Sequence, residues 1–277
     1  MKKITALLLA VLMVAALCVG CGDKNEANDD SWTKVETAGK FILGLDDSFP
    51  PMGYRDTETG EIVGFDIDVA QEVCDRLGIE LVKQPIDWDS NVMELDSGNI
   101  DCIWNGLTST PSRQENMNLS VPYMLNTQVI MVLNDSQYQA REDLAGKTVG
   151  VQSGSSGENA INGDGEDQVA FKESLKEVVG IMNYTNALTE LKNGTIDAIV
   201  IDEVVADKFM EDDPGAYRLL QKDGKDDFLT EEEYVIGFRK GDEALKNKIV
   251  DTLKEMKADG KLAEISTKWF GGDITTI

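Results

Sequence analysis

Apolar positions along the chain set the first reading. Between residues 66 and 77 they fall at Ile67, Ala70, Val73, Cys74 and Leu77. That three-and-four spacing is one face of a helix, and Gly78 supplies its stop. Phe41-Ile42-Leu43-Gly44-Leu45 is instead a short unbroken apolar run, the mark of a buried strand, and the turn-rich Asp46-Asp47-Ser48-Phe49-Pro50-Pro51 closes it. A hairpin turn is expected at Glu58-Thr59-Gly60-Glu61 and another strand at 80–82. Further on come a strand at 148–151, a Gly/Ser loop, a helix to about residue 161 and a strand at 196–201. Leu245, Ile249, Leu253, Met256, Leu262 and Ile265 predict two amphipathic helices over 244–270, broken at Gly260. Strands alternating with helices predict an α/β protein with mostly parallel sheets flanked by helices.

The chain also echoes itself. Leu95-Asp96-Ser97-Gly98-Asn99-Ile100-Asp101-Cys102-Ile103 and Leu191-Lys192-Asn193-Gly194-Thr195-Ile196-Asp197-Ala198-Ile199 share Leu, Gly, Ile, Asp and Ile in one register. Each copy has the form of a helix end, a glycine cap and a buried strand. Two comparable α/β units in succession predict two lobes.

Composition narrows the chemistry. The 277 residues hold 51 Asp+Glu against 26 Lys+Arg, a net charge of −25, and no histidine. Missing histidine removes Ser-His-Asp and Cys-His catalysis and the commonest zinc ligand. The acidity argues against nucleic acid and against adsorption to anionic lipid. Residues 1–20 begin with Lys2 and Lys3 and continue uncharged to Gly20, the form of an export signal. The following Cys21, with small Gly20 before it, resembles the lipidated cysteine of a bacterial lipoprotein, although Cys18 stands where leucine is usual. Residues 21–33 then read as a flexible tether, with ordered structure from about Lys34. Cys74 and Cys102 lie within apolar patterns; a pair of free buried thiols is expected, with a bridge as the alternative.

Three loops carry candidate chemistry. Asn105 to Arg113 follows a buried strand, and ligands bind at the carboxyl ends of strands in open α/β sheets. Arg113 there suits a carboxylate, gripped by two parallel hydrogen bonds; pairing with a local acid is the alternative. Gly150 to Gly157 joins a strand to a helix through small residues, either as a nest of N–H groups for an anion or as a plain turn. Asp202 ends the second echo at a strand tip, placed either to accept an ammonium or to cap the next helix. Acidic turns at 164–167 and 223–227 lack calcium-loop spacing, and no motif calls for a metal or cofactor.

Carboxylate gripper, N–H nest and ammonium acceptor together suit a free α-amino acid. The segments Gly64 to Ala70, Thr108 to Arg113, Ser120 to Tyr123, Gly150 to Ser156 and Asn193 to Glu203 resemble, in consistent order from about Lys40 to Phe270, the polar-amino-acid extracellular solute-binding proteins (family 3) of ABC importers, of lipoprotein type. The resemblance implies a type II periplasmic-binding-protein-like fold whose two lobes close on a ligand. Lobe 1 would be residues 34–125 with 235–277 and lobe 2 residues 126–234, the chain crossing near Leu125–Thr127 and Glu231–Tyr234. It implies that Arg113 and the N–H groups of Thr108 and Ser156 hold the α-carboxylate. The Gly106 carbonyl, the Thr108 hydroxyl and Asp202 would hold the α-ammonium, with Phe49 and Trp88 covering the side chain. Asn105 and Ser155-Ser156 depart from the family's usual residues without preventing main-chain binding.

Asp46 near Trp88 favours a cationic ligand, whereas Asp46 with Gln152 and Asn105 suits an uncharged polar one. The implied partners are a free polar or cationic amino acid and the permease subunits of an ABC transporter. The membrane would be met through the lipid anchor, by a monomer held outside the cytoplasmic membrane or in the periplasm. The competing readings are an exported enzyme on the same fold, of dehydratase or transglycosylase type, with Asp46 as its candidate acid, and a surface amino-acid sensor.

Overall fold

The computed structural model describes residues 29–277. The export signal, Cys21 and most of the tether lie outside the described residues. Helical structure reaches further towards the N-terminus than expected: the first helix among the described residues is Ser31–Ala38, three residues inside the segment read as tether. The Ser31 hydroxyl explains the difference, because it is buried and accepts the Leu245 N–H at 3.0 Å, pinning the entry segment to the helix Glu243–Ala258.

One continuous sheet organises the molecule. Strands Glu80–Pro85, Lys40–Leu45 and Cys102–Thr108 run parallel at one side. Glu177–Ile181, Thr148–Gln152 and Ala198–Asp202 run parallel at the other. Between the two sets stand two long antiparallel strands, Met124–Leu133 and Phe228–Phe238. The segments expected to cross between lobes lie opposite one another in this pair, with Thr127 against Glu231 and Met124 against Tyr234. Helices cover the sheet as the apolar spacing predicts: Phe65–Leu77 with Gly78 left-handed at its end, and Glu243–Ala258 followed by Lys261–Phe270 around Gly260.

The internal echo is a structural duplication. In each half, the echoed strand is the innermost parallel strand, next to a long antiparallel one. Asp101 donates its N–H to the Ile42 carbonyl and accepts the Ile42 N–H on its carboxylate. Asp197 makes the same two bonds with Thr148. The repeated Asp therefore locks the start of one parallel strand to its neighbour, which fixes the register from which both binding loops emerge. Gly44 and Gly150 are equivalent too. A Cβ on Gly44 would meet Ile100 at 2.5 Å, and one on Gly150 would meet Ile196 at 2.7 Å, so each glycine makes room for the echoed isoleucine.

Cys74 and Cys102 are both free and buried, so the bridge is not formed. Burial pushes the Cys74 thiol up to about 12 and also raises the Cys102 thiol well above its ordinary range, which makes both inert as nucleophiles.

Candidate functional site

The polar residues singled out by sequence converge where the parallel strands end. Asp46 follows Lys40–Leu45. Asn105, Gly106 and Thr108 close Cys102–Thr108. Gln152 and Asp202 close Thr148–Gln152 and Ala198–Asp202. Because each set points its carboxyl ends inward, the two halves face each other across a cleft. Asp46, Asn105, Thr108, Arg113, Gln152, Ser155, Ser156 and Asp202 are all buried.

Arg113 owes its position to a short helix, Pro111–Asn116, whose N-cap Thr110 accepts the Arg113 N–H at 3.2 Å and whose first residue is proline. Among the described residues its guanidinium forms no ion pair with an acid, the alternative left open by sequence. It donates instead to the Thr108 carbonyl at 2.9 Å and, across the cleft, to the Gly154 carbonyl at 3.1 Å. The Trp88 ring lies 5.8 Å from its Cζ, so Trp88 backs the arginine as well as facing the Asp46 end of the cleft. Burial lowers Arg113 to about 10, opposed by the charges of Glu232 and Asp202; it stays protonated at neutral pH.

Asp202 does not cap the helix Glu203–Asp212 with its side chain. Its carboxylate accepts from Tyr234 Oη at 2.7 Å, Asn126 Nδ2 at 2.8 Å and Tyr184 Oη at 3.0 Å. Burial, then the nearby charge of Glu232, raises its pKa. Among the described residues no lysine or arginine forms an ion pair with Asp202, although its charge acts on Arg113.

The Gly/Ser loop satisfies part of its own hydrogen-bonding capacity internally. The Ser155 hydroxyl caps the helix Ser156–Ile161 by accepting the Glu158 N–H at 3.1 Å, so only the Ser155 main chain remains for a ligand. The Gly154 N–H is taken by the Glu158 carboxylate at 2.8 Å, which removes one donor from the nest. Ser156 faces Thr108, their hydroxyl oxygens 3.1 Å apart across the cleft.

Gly106 has φ of +59°, and a Cβ there would lie 2.7 Å from Phe49 Cε1, so glycine is needed both for the backbone and for the aromatic above it. Phe49 in turn sits 5.8 Å from the Tyr184 ring. Under Gly106, the fully buried Asp66 accepts its N–H at 2.8 Å and the Tyr123 hydroxyl at 3.0 Å. At the far end of the cleft Gln152 Nε2 donates to Asp46 Oδ2 at 2.6 Å, and Asn105 Oδ1 accepts the Asp46 N–H at 3.1 Å.

Chain similarity bears directly on this arrangement. The family model of bacterial extracellular solute-binding proteins, family 3, matches residues 41–272. The chain belongs to that family. Among its relatives, the arginine-binding extracellular protein ArtP of Bacillus subtilis (strain 168) is 30% identical over 99% of this chain and 100% of its own. The L-cystine-binding protein TcyJ of Escherichia coli (strain K12) is 28% identical over 95% of each chain. A solved Streptococcus pneumoniae ABC uptake transporter substrate-binding protein with bound histidine superposes with a TM-score of 0.83 at 36% identity, covering 91% of this chain and 100% of that one. The fold is accordingly the type II two-lobed architecture of amino-acid-transport binding proteins.

Within this family-3 protein, sequence reasoning missed the residues that hold the site from behind. Glu232, Asn126 and Gln128 on the long strands, and the hydroxyls of Tyr184 and Tyr234, are all buried around Asp202. Among the described residues no His/Cys/Asp/Glu group forms a metal cluster, and no helix is long and apolar enough to cross a membrane.

Three buried acids set the pH response of the ligand-free protein. Burial raises Asp46 to about 6 and Asp66 to about 7, and raises Asp202 as well, from an ordinary aspartate value of about 3.9. The folded state therefore holds protons that the unfolded chain has released. This stabilisation is complete below about pH 4 and is lost as pH rises through about 6 to 7. The melting temperature of ligand-free protein is expected to fall between pH 5 and pH 8, as scanning calorimetry would show; a flat or rising profile would mean these acids are solvated.

Proposed function

We propose that this protein is an extracytoplasmic receptor that binds one free α-amino acid between its lobes and delivers it to an ABC permease, and that the preferred ligand has a cationic side chain. One observation carries the reading: Arg113 from one lobe and Asp202 from the other are buried in the same cleft, with Thr108 and Ser156 facing each other between them. A dry cleft with one fixed cation and one fixed anion matches a zwitterion's two charges, each of which needs a partner once water is excluded.

The cationic preference rests on what lies beyond. Asp46 and Trp88 open into a pocket of about 600 Å³ lined also by Asp47, Asp87, Glu94, Asn99 and Met182, with no lysine or arginine in its lining. Asp47 is already paired with Arg55 at 2.7 Å, but Asp46 has only amide and N–H donors. A guanidinium or ammonium reaching Asp46 would supply the missing charge, and the arginine-binding relative is consistent with that chemistry. The roles implied for Gly106, Thr108, Ser156, Phe49, Trp88, Gln152 and Asn105 belong to this proposal.

Calorimetric titration with L-arginine, L-lysine, L-glutamine and L-histidine tests it. L-Arginine should bind at least tenfold tighter than L-glutamine, as expected for a charge-assisted bond worth about 1.5–3 kcal/mol, and Asp46→Asn should abolish that margin. L-Glutamine binding equally well to the unaltered protein would reverse the preference. The ligand should be recovered chemically unchanged after incubation; a new product in the NMR spectrum would favour an exported enzyme instead.

Anchoring through Cys21 is part of the same proposal. Cys21→Ser should move the protein to the soluble fraction without changing affinity, and continued membrane retention would remove the lipoprotein reading. A tethered receptor stays close to its permease, at raised effective concentration.

A further inference from the structure

Glu232 is the most heavily hydrogen-bonded acid in the cleft, and it belongs to neither set of parallel strands. It lies on the long strand Phe228–Phe238, opposite Asn126. Its Oε2 accepts from Thr108 Oγ1 at 2.9 Å, Ser156 Oγ at 3.0 Å, Gln128 Nε2 at 3.1 Å and Asn126 Nδ2 at 3.2 Å. The same Asn126 nitrogen reaches Asp202 Oδ1 at 2.8 Å, so the two carboxylates share a donor. Glu231 and Glu233 on either side are exposed; burial selects the middle acid of the three.

A hydroxyl has one proton and two lone pairs, and a carboxylate has no proton to return. With its proton directed at Glu232, Thr108 presents only lone pairs to the cleft. An ammonium has three donors and no acceptor, so it is satisfied by a hydroxyl held in this orientation and repelled by one turned the other way. We propose that Glu232 is a positioning residue for amine recognition: by taking the proton of Thr108 it fixes that hydroxyl as an acceptor for the ligand's α-ammonium. Ser156, held by the same oxygen, is oriented alike and accepts from Gln128 Nε2 at 3.2 Å. The inference rests on the amino-acid reading of the cleft and deepens it.

Glu232→Gln keeps the shape but places an amide beside Thr108, whose N–H₂ can donate to the hydroxyl and reverse its direction. The test is calorimetry with L-arginine and its desamino analogue 5-guanidinopentanoate, which keeps the carboxylate and guanidinium and lacks the amine. Glu232→Gln should weaken L-arginine binding by at least tenfold and the desamino analogue by less than threefold. In a Thr108→Val background, where no hydroxyl remains to be oriented, Glu232→Gln should cost less than threefold for either compound. Equal losses for both compounds would show a purely structural role and overturn the proposal. An undiminished tenfold loss in the Thr108→Val background would show that Glu232 acts by its charge alone, and would overturn it too. If the unaltered protein fails to bind L-arginine, the cationic reading falls, and L-glutamine with 4-carbamoylbutanoate serves as the test pair with the same expected split. Failure to bind either amino acid would overturn the amino-acid reading and the role of Glu232 with it.

Discussion

Arg113→Ala should weaken amino-acid binding by roughly thirty-fold to several thousand-fold. On the proposed reading the α-carboxylate loses its water in the closed cleft, and removing one member of a buried charge pair costs about 2–5 kcal/mol, at about 1.4 kcal/mol per factor of ten. Arg113 is 7% exposed and is braced by the Thr108 and Gly154 carbonyls and by Trp88. Arg113→Lys isolates geometry from charge. A point charge on a flexible stem cannot reproduce the planar fork, and at least tenfold impairment is expected to remain. Near-normal affinity in the alanine variant, measured by calorimetry with the best ligand, would place the carboxylate elsewhere.

Asp202→Asn should cost a similar amount and should also change the shape of the pH profile. Asp202 holds its proton more tightly than a solvated aspartate because it is buried beside Glu232. An ammonium ligand pairs with the ionised form, so binding must release that proton whenever the pH is low enough for it to be present. Affinity in the unaltered protein is therefore expected to rise between pH 5 and pH 8, opposite in sign to the stability of the ligand-free protein. In Asp202→Asn that rise should shrink to the part due to Asp46. An identical pH profile in both proteins would mean that Asp202 does not titrate against the ligand. Arg113 and Asp202 follow parallel strands on opposite sides of the long antiparallel pair, so on the proposed two-lobe reading losing Asp202 should reduce ligand-driven compaction in small-angle scattering.

The placement of Arg113 and Asp202 beside the cleft was legible in the sequence because polar residues collect where buried strands end, and because the echo marked which strands those are. The helices Phe65–Leu77 and Glu243–Ala258 were legible through their unbroken apolar stripes. Glu166–Ser174 and the strand Glu177–Ile181 were not. The first buries only Phe171, and the second is an edge strand that buries only Ile181, so neither carries enough apolar periodicity to stand out. Glu232 was hidden for another reason: three consecutive glutamates look alike until strand pairing turns the middle one inward. Tyr184 and Tyr234 meet Asp202 from 18 and 32 residues away, a convergence that only the folded sheet brings about. The Ser155 hydroxyl caps its own helix, a role the sequence reading did not assign to it.

The central claim, recognition of a free α-amino acid by both of its charged ends, is tested most directly by a thermal-shift screen of the protein against the twenty amino acids, cystine and ornithine, each alongside its N-acetyl and carboxamide derivatives. Binding to the folded form alone raises the melting temperature by mass action. The account predicts that at least one free amino acid, a cationic one foremost, raises it by several degrees while both blocked derivatives of the same compound leave it unchanged. A blocked derivative that stabilises as well as its parent, or no response to any free amino acid, would contradict it.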